Sequence, residues 1–317
     1  MARKKDVIIL SIIAAFLFFT PLYAESEEKE ESQAVSETEA VTKNPEFRRK
    51  PEHLITEEEE APQNIYTYIR YMPERKVKAQ SGKVTLIDSD VEYSYAFKAF
   101  EELPVGLSLD QRYIGIKNST AVELPAHLVG LSTGLETTLP FFNFNKTYFR
   151  VAVYPSFYGD DWSFPSSSFR MPVHTFLIYQ PNEKATFVLG VAVYPDYEDV
   201  VWPIVGVIYK PNDRLTFNLI PKEPNISYML SDRITLFAEG DITLNEFEVT
   251  KDDLKNVVLQ YKETHAGAGI KYRFNKFIYS SFSVGGIFNR SLKYRDSLGK
   301  VDIKSGLYTE FRLEIKI

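Results

Sequence analysis

The chain has 317 residues, 14% of them aromatic, no cysteine and a net charge of -6. The missing thiols exclude disulfides, thiolate metal sites, a catalytic cysteine and a lipidated cysteine. The acidity is local: residues 1–24 sum to +2, residues 25–60 to -8, and the remainder is neutral, without the basic excess that nucleic acid demands.

"MARKKDVIILSIIAAFLFFTPLYA" opens with bases, runs apolar from Val7 to Phe19, and reaches Pro21 and a small Ala24 before a polar stretch. That is the pattern of a secretory signal peptide over 1–24. Its apolar run, about 20 Å of helix, is short for a bilayer core of about 30 Å. Residues 25–62 follow, dense in Glu and poor in large apolar side chains. They cannot bury enough surface to fold, and read as a disordered acidic linker.

From 63 to 317 the period is two. Val91, Tyr93, Tyr95 and Phe97 stand opposite Glu92, Ser94, Ala96 and Lys98. Farther on, Ile234, Leu236, Ala238, Ile242 and Leu244 oppose Thr235, Phe237, Glu239, Asp241 and Thr243. Alternation of this kind marks strands with one apolar face. Six short turns cut the run: "EELP" (101–104), "PFFNFN" (140–145), "QPNEK" (180–184), "KPNDR" (210–214), "LSDR" (230–233) and "FNK" (274–276). Longer connections fall at 118–124, 158–167, 196–201, 221–224, 250–257 and 295–300. "VAVYPSFYGDDW" (151–162) and "VAVYPDYEDVVW" (191–202) repeat at a spacing of 40. A repeated hairpin belongs in a meander. The last strand keeps its alternation to the final residue. Phe311, Leu313, Ile315 and Ile317 lie on one face; Glu310, Arg312, Glu314 and Lys316 lie on the other. A chain patterned to its end needs a partner there, and a sheet in a bilayer must close because open edges leave backbone groups unsatisfied.

Short turns alternating with long loops, behind a secretory signal, predict an all-β, antiparallel up-and-down transmembrane barrel of about 14 strands, or 12 if "LTFNLIP" and "NISYMLS" do not both form strands or "NIYTYIRY" is not the first. The stretches "IYTYIRYMPERKV" (65–77), "WPIVGVIYKPNDRLTFNLIP" (202–221), "NISYMLSDRITLFAEGDI" (225–242) and "GIKYRFNKFIYSSFSVGG" (269–286) resemble an uncharacterised family of outer-membrane β-barrel proteins, a domain of unknown function, over roughly 64–317. The resemblance implies an outer-membrane barrel and carries no catalytic residues.

On this reading Glu92, Lys98, Glu239, Asp241, Lys271, Arg273, Glu310 and Arg312 face the lumen. Ala192, Ile204, Gly206 and Ile208 make its wall apolar in the middle hairpins. Glu239 and Asp241 are expected to pair with Lys271 and Arg273 on the next strand and narrow the lumen. Asp160, Asp161, Trp162, Asp196, Glu198, Asp199 and Trp202 fall in external acidic, aromatic loops; carboxylates gathered there suit calcium, but solvated loops are the expectation, with no metal. His265 reads as a solvated lumen residue, and Gly267, Gly269, Gly285 and Gly286 as bends in the wall. His174 and Thr175 point to opposite faces, and no Ser/His/acid spacing marks a nucleophile, so no enzyme and no cofactor are expected. The expected partners are outer-membrane lipid, the barrel assembly machinery and small solutes, in the outer membrane of a Gram-negative-type bacterium. The leading reading is a non-enzymatic narrow channel or transporter for small solutes, or an envelope structural protein; two others stay open, an outer-membrane enzyme acting on lipid or peptide and a secreted soluble β-protein that binds a ligand.

Overall fold

The computed structural model describes residues 62–317 except 101, 102, 143, 196, 222, 223, 252 and 253, and leaves out the side chains of Lys255 and Asn256. The expected signal peptide, the linker up to residue 61 and Asp196 lie outside the described residues.

Seventeen strand segments form one antiparallel sheet that closes on itself. They are β1 (Gln63–Lys76), β2 (Lys83–Ala99), β3 (Leu103–Asn118), β4 (His127–Pro140), β5 (Thr147–Val153), β6 (Ser156–Gly159), β7 (Phe169–Arg170), β8 (Val173–Asn182) and β9 (Ala185–Val193). β10 (Val201–Asn212), β11 (Leu215–Asn218), β12 (Asn225–Met229), β13 (Ile234–Lys251), β14 (Leu254–Arg273), β15 (Ile278–Tyr294), β16 (Lys300–Ile303) and β17 (Gly306–Lys316) complete the set. Closure is made by β17 on β1, where Ile65 lies across from Ile315 and Ile69 from Phe311.

Three strands are broken along their length, so the segments make 14 staves. Pro155 separates β5 from β6, and Pro172 separates β7 from β8. Proline has no N–H for the ladder; at the break Tyr154 N donates to Pro172 O instead. Lys304 and Ser305 separate β16 from β17, where Lys304 N donates to Lys76 O. Both ends of the described chain lie at the end with the six short turns, since Gln63 and Ile317 exchange backbone hydrogen bonds.

The outer face is apolar. Ile69, Leu107, Leu109, Leu135, Leu189, Val205, Phe282 and Phe311 all stand exposed on it. At the turn end aromatic rings stack outward in cross-strand pairs, Tyr179 on Phe187 and Tyr209 on Phe217. A hydrocarbon solvent with an aromatic girdle at its interface asks for such a surface.

The staves are unequal. β13 and β14 run 18 and 20 residues, whereas β11 and β12 run 4 and 5, below the ~9–11 residues a bilayer strand uses. The expected long loop at 250–257 is therefore corrected: β13 continues to Lys251 and β14 starts at Leu254. Val249 lies across from Val257 in the ladder, so an apolar pattern read as a connection belongs to the hairpin. Near its loop end β13 leaves β12 and makes a parallel contact with β6, Glu248 against Gly159. That contact bypasses β7 to β12. The loop end thus narrows to a ring of β6, β13, β14, β15, β16, the end of β1, β2, β3 and β4. Its inside is packed solid by Val84, Ile114, Leu128, Tyr158, Phe247 and Leu259, all buried. A second apolar lining, with Phe176, Ile178, Val188 and Ile208, covers the inner face of β8 to β10.

Candidate functional site

Below the apolar packing, charged side chains from β1, β13, β14 and β17 meet inside the barrel. Arg70 on β1 donates from Nε to Glu310 Oε2 on β17 at 2.5 Å and from Nη1 to Glu263 Oε1 on β14 at 2.9 Å. Arg312 on β17 donates through Nε to Glu310 and grips Glu239 on β13 with both terminal nitrogens, Nη1 to Oε2 at 2.7 Å. Tyr261 donates its hydroxyl to Glu263 Oε2 at 2.5 Å. Charge-assisted, forked contacts of this kind are the strong ones. Arg70 and Glu263 are closed off from water, with side chains 4% and 0% exposed.

Reaching Glu239 from β17 means passing over β14 and β15, where glycines face Tyr308. Glu239 lies across from Gly267, and Gly267 across from Gly285. A Cβ on Gly267 would sit 2.3 Å from the Tyr308 hydroxyl, and one on Gly285 2.5 Å from the Tyr308 ring. These positions give space to Tyr308.

His265 on β14 is also corrected: it is buried, not solvated. Its Nδ1 lies 3.3 Å from Arg70 Nη1, 3.6 Å from Glu263 and 3.8 Å from Asp241. Tyr308 meets its ring edge-on, with centroids 5.2 Å apart. On the adjoining wall Arg112 (β3) forks onto Asp88 (β2) at 3.0 and 2.9 Å. With the Asn245 amide oxygen turned toward it, Arg112 Nη1 has a further acceptor at 2.7 Å.

The expected pairing of Glu239 and Asp241 with Lys271 and Arg273 is not what forms. In register Asp241 lies across from His265 and Thr235 from Lys271, so the charges are offset along the hairpin. Lys271 instead binds Glu314 at 2.7 Å, and Asp241 accepts from Thr243 at 2.8 Å. Glu92 is buried on β2; Lys98 and Arg273 stand exposed at the turn-end rim. Ala192 and Ile208 are buried inside the wall, with Ile204 packed between the two apolar clusters there. Phe311 is exposed on the outer face, and Leu313, Ile315 and Ile317 are half-buried on β17 and at its end.

Several described loop carboxylates are held by their neighbours. Asp160 Oδ2 accepts from Thr250 N at 2.9 Å, and Asp161 Oδ1 accepts from the hydroxyl and the amide of Ser163. The Ser163 hydroxyl, then its amide, holds the Asp161 carboxyl below its ordinary range. Glu198 is exposed and bridges to Lys293 at 3.3 Å; its amide donates to Glu246 on β13 at 3.0 Å. Trp162 stands half exposed beside Phe164. Trp202 is corrected from loop to strand: it is buried on β10, and its indole N–H donates to Asp199 O. Sequence reading weighed His174 only as a catalytic candidate and missed that the repeat converges on it. Tyr154 and Tyr194, equivalent residues of the two copies, both pack on it, with Tyr194 OH 3.1 Å from Nε2. The spacing of 40 was the available signal.

A family profile described as a domain of unknown function, DUF6268, matches residues 98–311. This chain belongs to the DUF6268 family. No curated protein matches the sequence. Among solved structures, the DUF6268 chain is similar to the COG4313 outer membrane channel from Pseudomonas putida F1, with 10% identity, 82% of this chain and 98% of that one covered, and a TM-score of 0.44. It is also similar to a deltaS2 mutant of the TodX monoaromatic hydrocarbon channel (9% identity, 80% and 89% covered, TM-score 0.42). The KdgM porin gives 8% identity, 80% and 99% covered, and a TM-score of 0.33. Identities this low say nothing about a shared solute.

Proposed function

We propose that this DUF6268 protein is a non-enzymatic integral barrel of a Gram-negative-type outer membrane, a narrow channel or transporter for small solutes whose lumen is shut at rest. Its partners on this reading are outer-membrane lipid, the barrel assembly machinery and the solute. The observation that carries the proposal is the chain Arg70–Glu263, Arg70–Glu310–Arg312–Glu239, which runs inside the wall from β13 to β1. Fourteen staves about 4.7 Å apart and tilted about 40° enclose a backbone cylinder roughly 27 Å wide. A cylinder that wide with small side chains inside would be an open aqueous pore. Here its interior is buried side chains. Desolvating five charged groups is costly, and packing the same space with apolar residues is often no less stable. Buried ion pairs are best rationalised where two arrangements must be distinguished, as in a gate.

Planar-bilayer conductance tests this. The wild type is expected to show little conductance, and Arg312→Ala to raise it, because Glu239 and Glu310 lose the cation that joins them. A wild type that conducts freely, with Arg312→Ala changing only ion selectivity, overturns the gate. Both proteins silent under all voltages, yet equally well folded, would point to an envelope structural role.

A further inference from the structure

The two sides of the wall differ on their inner face. The inward carboxylates Glu92, Glu239, Asp241, Glu263 and Glu310 stand on β2, β13, β14 and β17. Among the described residues, the inner face of β8 to β11 carries none. The inward row of β10 runs through Trp202, Ile204, Gly206 and Ile208, and ends at the turn end on Lys210. The inward row of β9 runs back through Ala192, Gly190, Val188 and Thr186 to Lys184, in the turn before it. An apolar wall thus ends on cations.

Lys184 and Lys210 stand directly opposite each other, with Lys210 N donating to Lys184 O at 2.7 Å. Residues placed so share a face of the sheet, and like charges there destabilise it. The acids next to this pair in sequence, Glu183 and Asp213, are exposed at the turn tips. At the loop end lysines are treated differently: Lys83, Lys293 and Lys300 each meet a carboxylate, at 2.6, 3.3 and 2.8 Å. Thr186 and Lys210 are half-buried, whereas Ile178, Val188 and Ile208 farther in are buried. From the mouth, the apolar wall is therefore reached past the lysine pair.

We infer that the turn-end mouth beneath β8 to β10 binds an amphipathic anion, a carboxylate on an apolar chain, with its head between Lys184 and Lys210 and its chain on Ile178, Val188 and Ile208. The head accepts charge-assisted hydrogen bonds from both ammonium groups and offsets their mutual repulsion. The chain leaves water for a wall that already excludes it. A small hydrophilic anion leaves that wall unused, and a neutral or cationic amphiphile leaves the two lysines facing each other. The carboxylates of β2, β13, β14 and β17 disfavour the head elsewhere in the lumen. Taking this ligand as the solute of the channel rests on the reading proposed above; its binding does not.

The test is equilibrium dialysis of labelled octanoate against the full chain in phosphatidylcholine nanodiscs, with uptake by empty discs subtracted. Saturable binding is expected, tightening from butanoate through hexanoate to octanoate as more apolar surface is buried. Octylammonium and octanol should bind at least tenfold more weakly than octanoate. Lys184→Gln with Lys210→Gln should weaken octanoate at least tenfold, and Lys98→Gln, on β2 elsewhere around the mouth, should leave it unchanged. Absence of saturable binding overturns the inference. So does equal binding of the three headgroups, indifference to chain length, or an equal loss with Lys98→Gln. Phosphatidylglycerol in the discs that abolishes octanoate binding would assign the lysines to lipid headgroups, and also overturns it. Melting curves show that the variants are folded. Dialysis reads binding whether or not the barrel conducts, so a wild type that conducts freely counts against the gate alone.

Discussion

Arg70 holds two glutamates that have no water to turn to. Replacing it with Met keeps most of the volume but leaves Glu263 and Glu310 buried beside one cation fewer. Breaking a buried pair in this way costs about 3–5 kcal/mol. Arg70→Met should therefore lower the detergent melting temperature clearly, whereas Arg273→Met, at the exposed rim, should move it little. Equal effects of the two would remove the network from any role in stability. Gly267 offers a second residue-scale prediction. Gly267→Ala forces its new methyl into the Tyr308 hydroxyl, an overpacking cost of roughly 1–3 kcal/mol. That hydroxyl is buried with no hydrogen-bond partner, so Tyr308→Phe alone should be mild. Removing it leaves the ring carbon Cζ 3.1 Å from the new Cβ, so the double variant should recover part of the loss in the same melting assay. The inward face of β2 was legible in the sequence because alternation by two holds there through Glu92. Which inward charges pair was not. Glu239 falls beside Gly267 rather than beside Lys271, and Arg312 reaches it from two staves away.

At the scale of the strand, β17 shows how one alternation serves two solvents. Phe311 stands in a row with Ile69 and Phe282, its ladder neighbours on either side, and all three are exposed on the outer face. A lysine among them meets hydrocarbon at a cost of up to ~2–4 kcal/mol, depending on depth. Phe311→Lys should reduce assembled, heat-modifiable protein in membranes, while Lys316→Gln at the end of the same strand should not. Similar yields would contradict a lipid-facing β17. The loop-side clasp is testable too. Asp160 caps the amide of Thr250, and Ser167 donates to Glu248 at 2.5 Å, so the loop after β6 is tied to β13. Asp160→Cys with Thr250→Cys should form a disulfide in a chain that has no other cysteine, and non-reducing mass analysis would detect it. Two free thiols under oxidising conditions would mean that the loop does not rest on β13. The length of β13 and β14 was the least legible element property. "KDDLKNVV" carries turn residues at its start, and only pairing of Val249 with Val257 shows that strand resumes at once.

For the molecule as a whole, two barriers lie within one wall. The nine-segment ring at the loop end is filled by side chains such as Phe247 and Leu259, and the ion network lies beneath it. The lobe of β8 to β10 lies to one side of that ring, where Tyr194 and Tyr197 pack on Trp202 and the Glu198 amide is held by Glu246. Glu246 also takes Arg295, and Glu248 takes Ser167, so both glutamates tie loops to β13. If solute passes through the lobe, charges and clasp act in series, and the packed ring acts only as scaffold. Arg312→Ala alone should then raise conductance modestly. Adding Glu246→Ala and Glu248→Ala should raise it further, beyond the sum of the two changes made separately, because current through barriers in series is limited by whichever remains. Phe247→Ala removes a large buried ring, costing about 3–5 kcal/mol of stability, yet should leave conductance near the wild-type value. Single-channel recordings on the wild type and the four variants, with melting curves to show that each is folded, decide the matter. A rise with Phe247→Ala and none with the clasp variants would put the path through the packed ring instead.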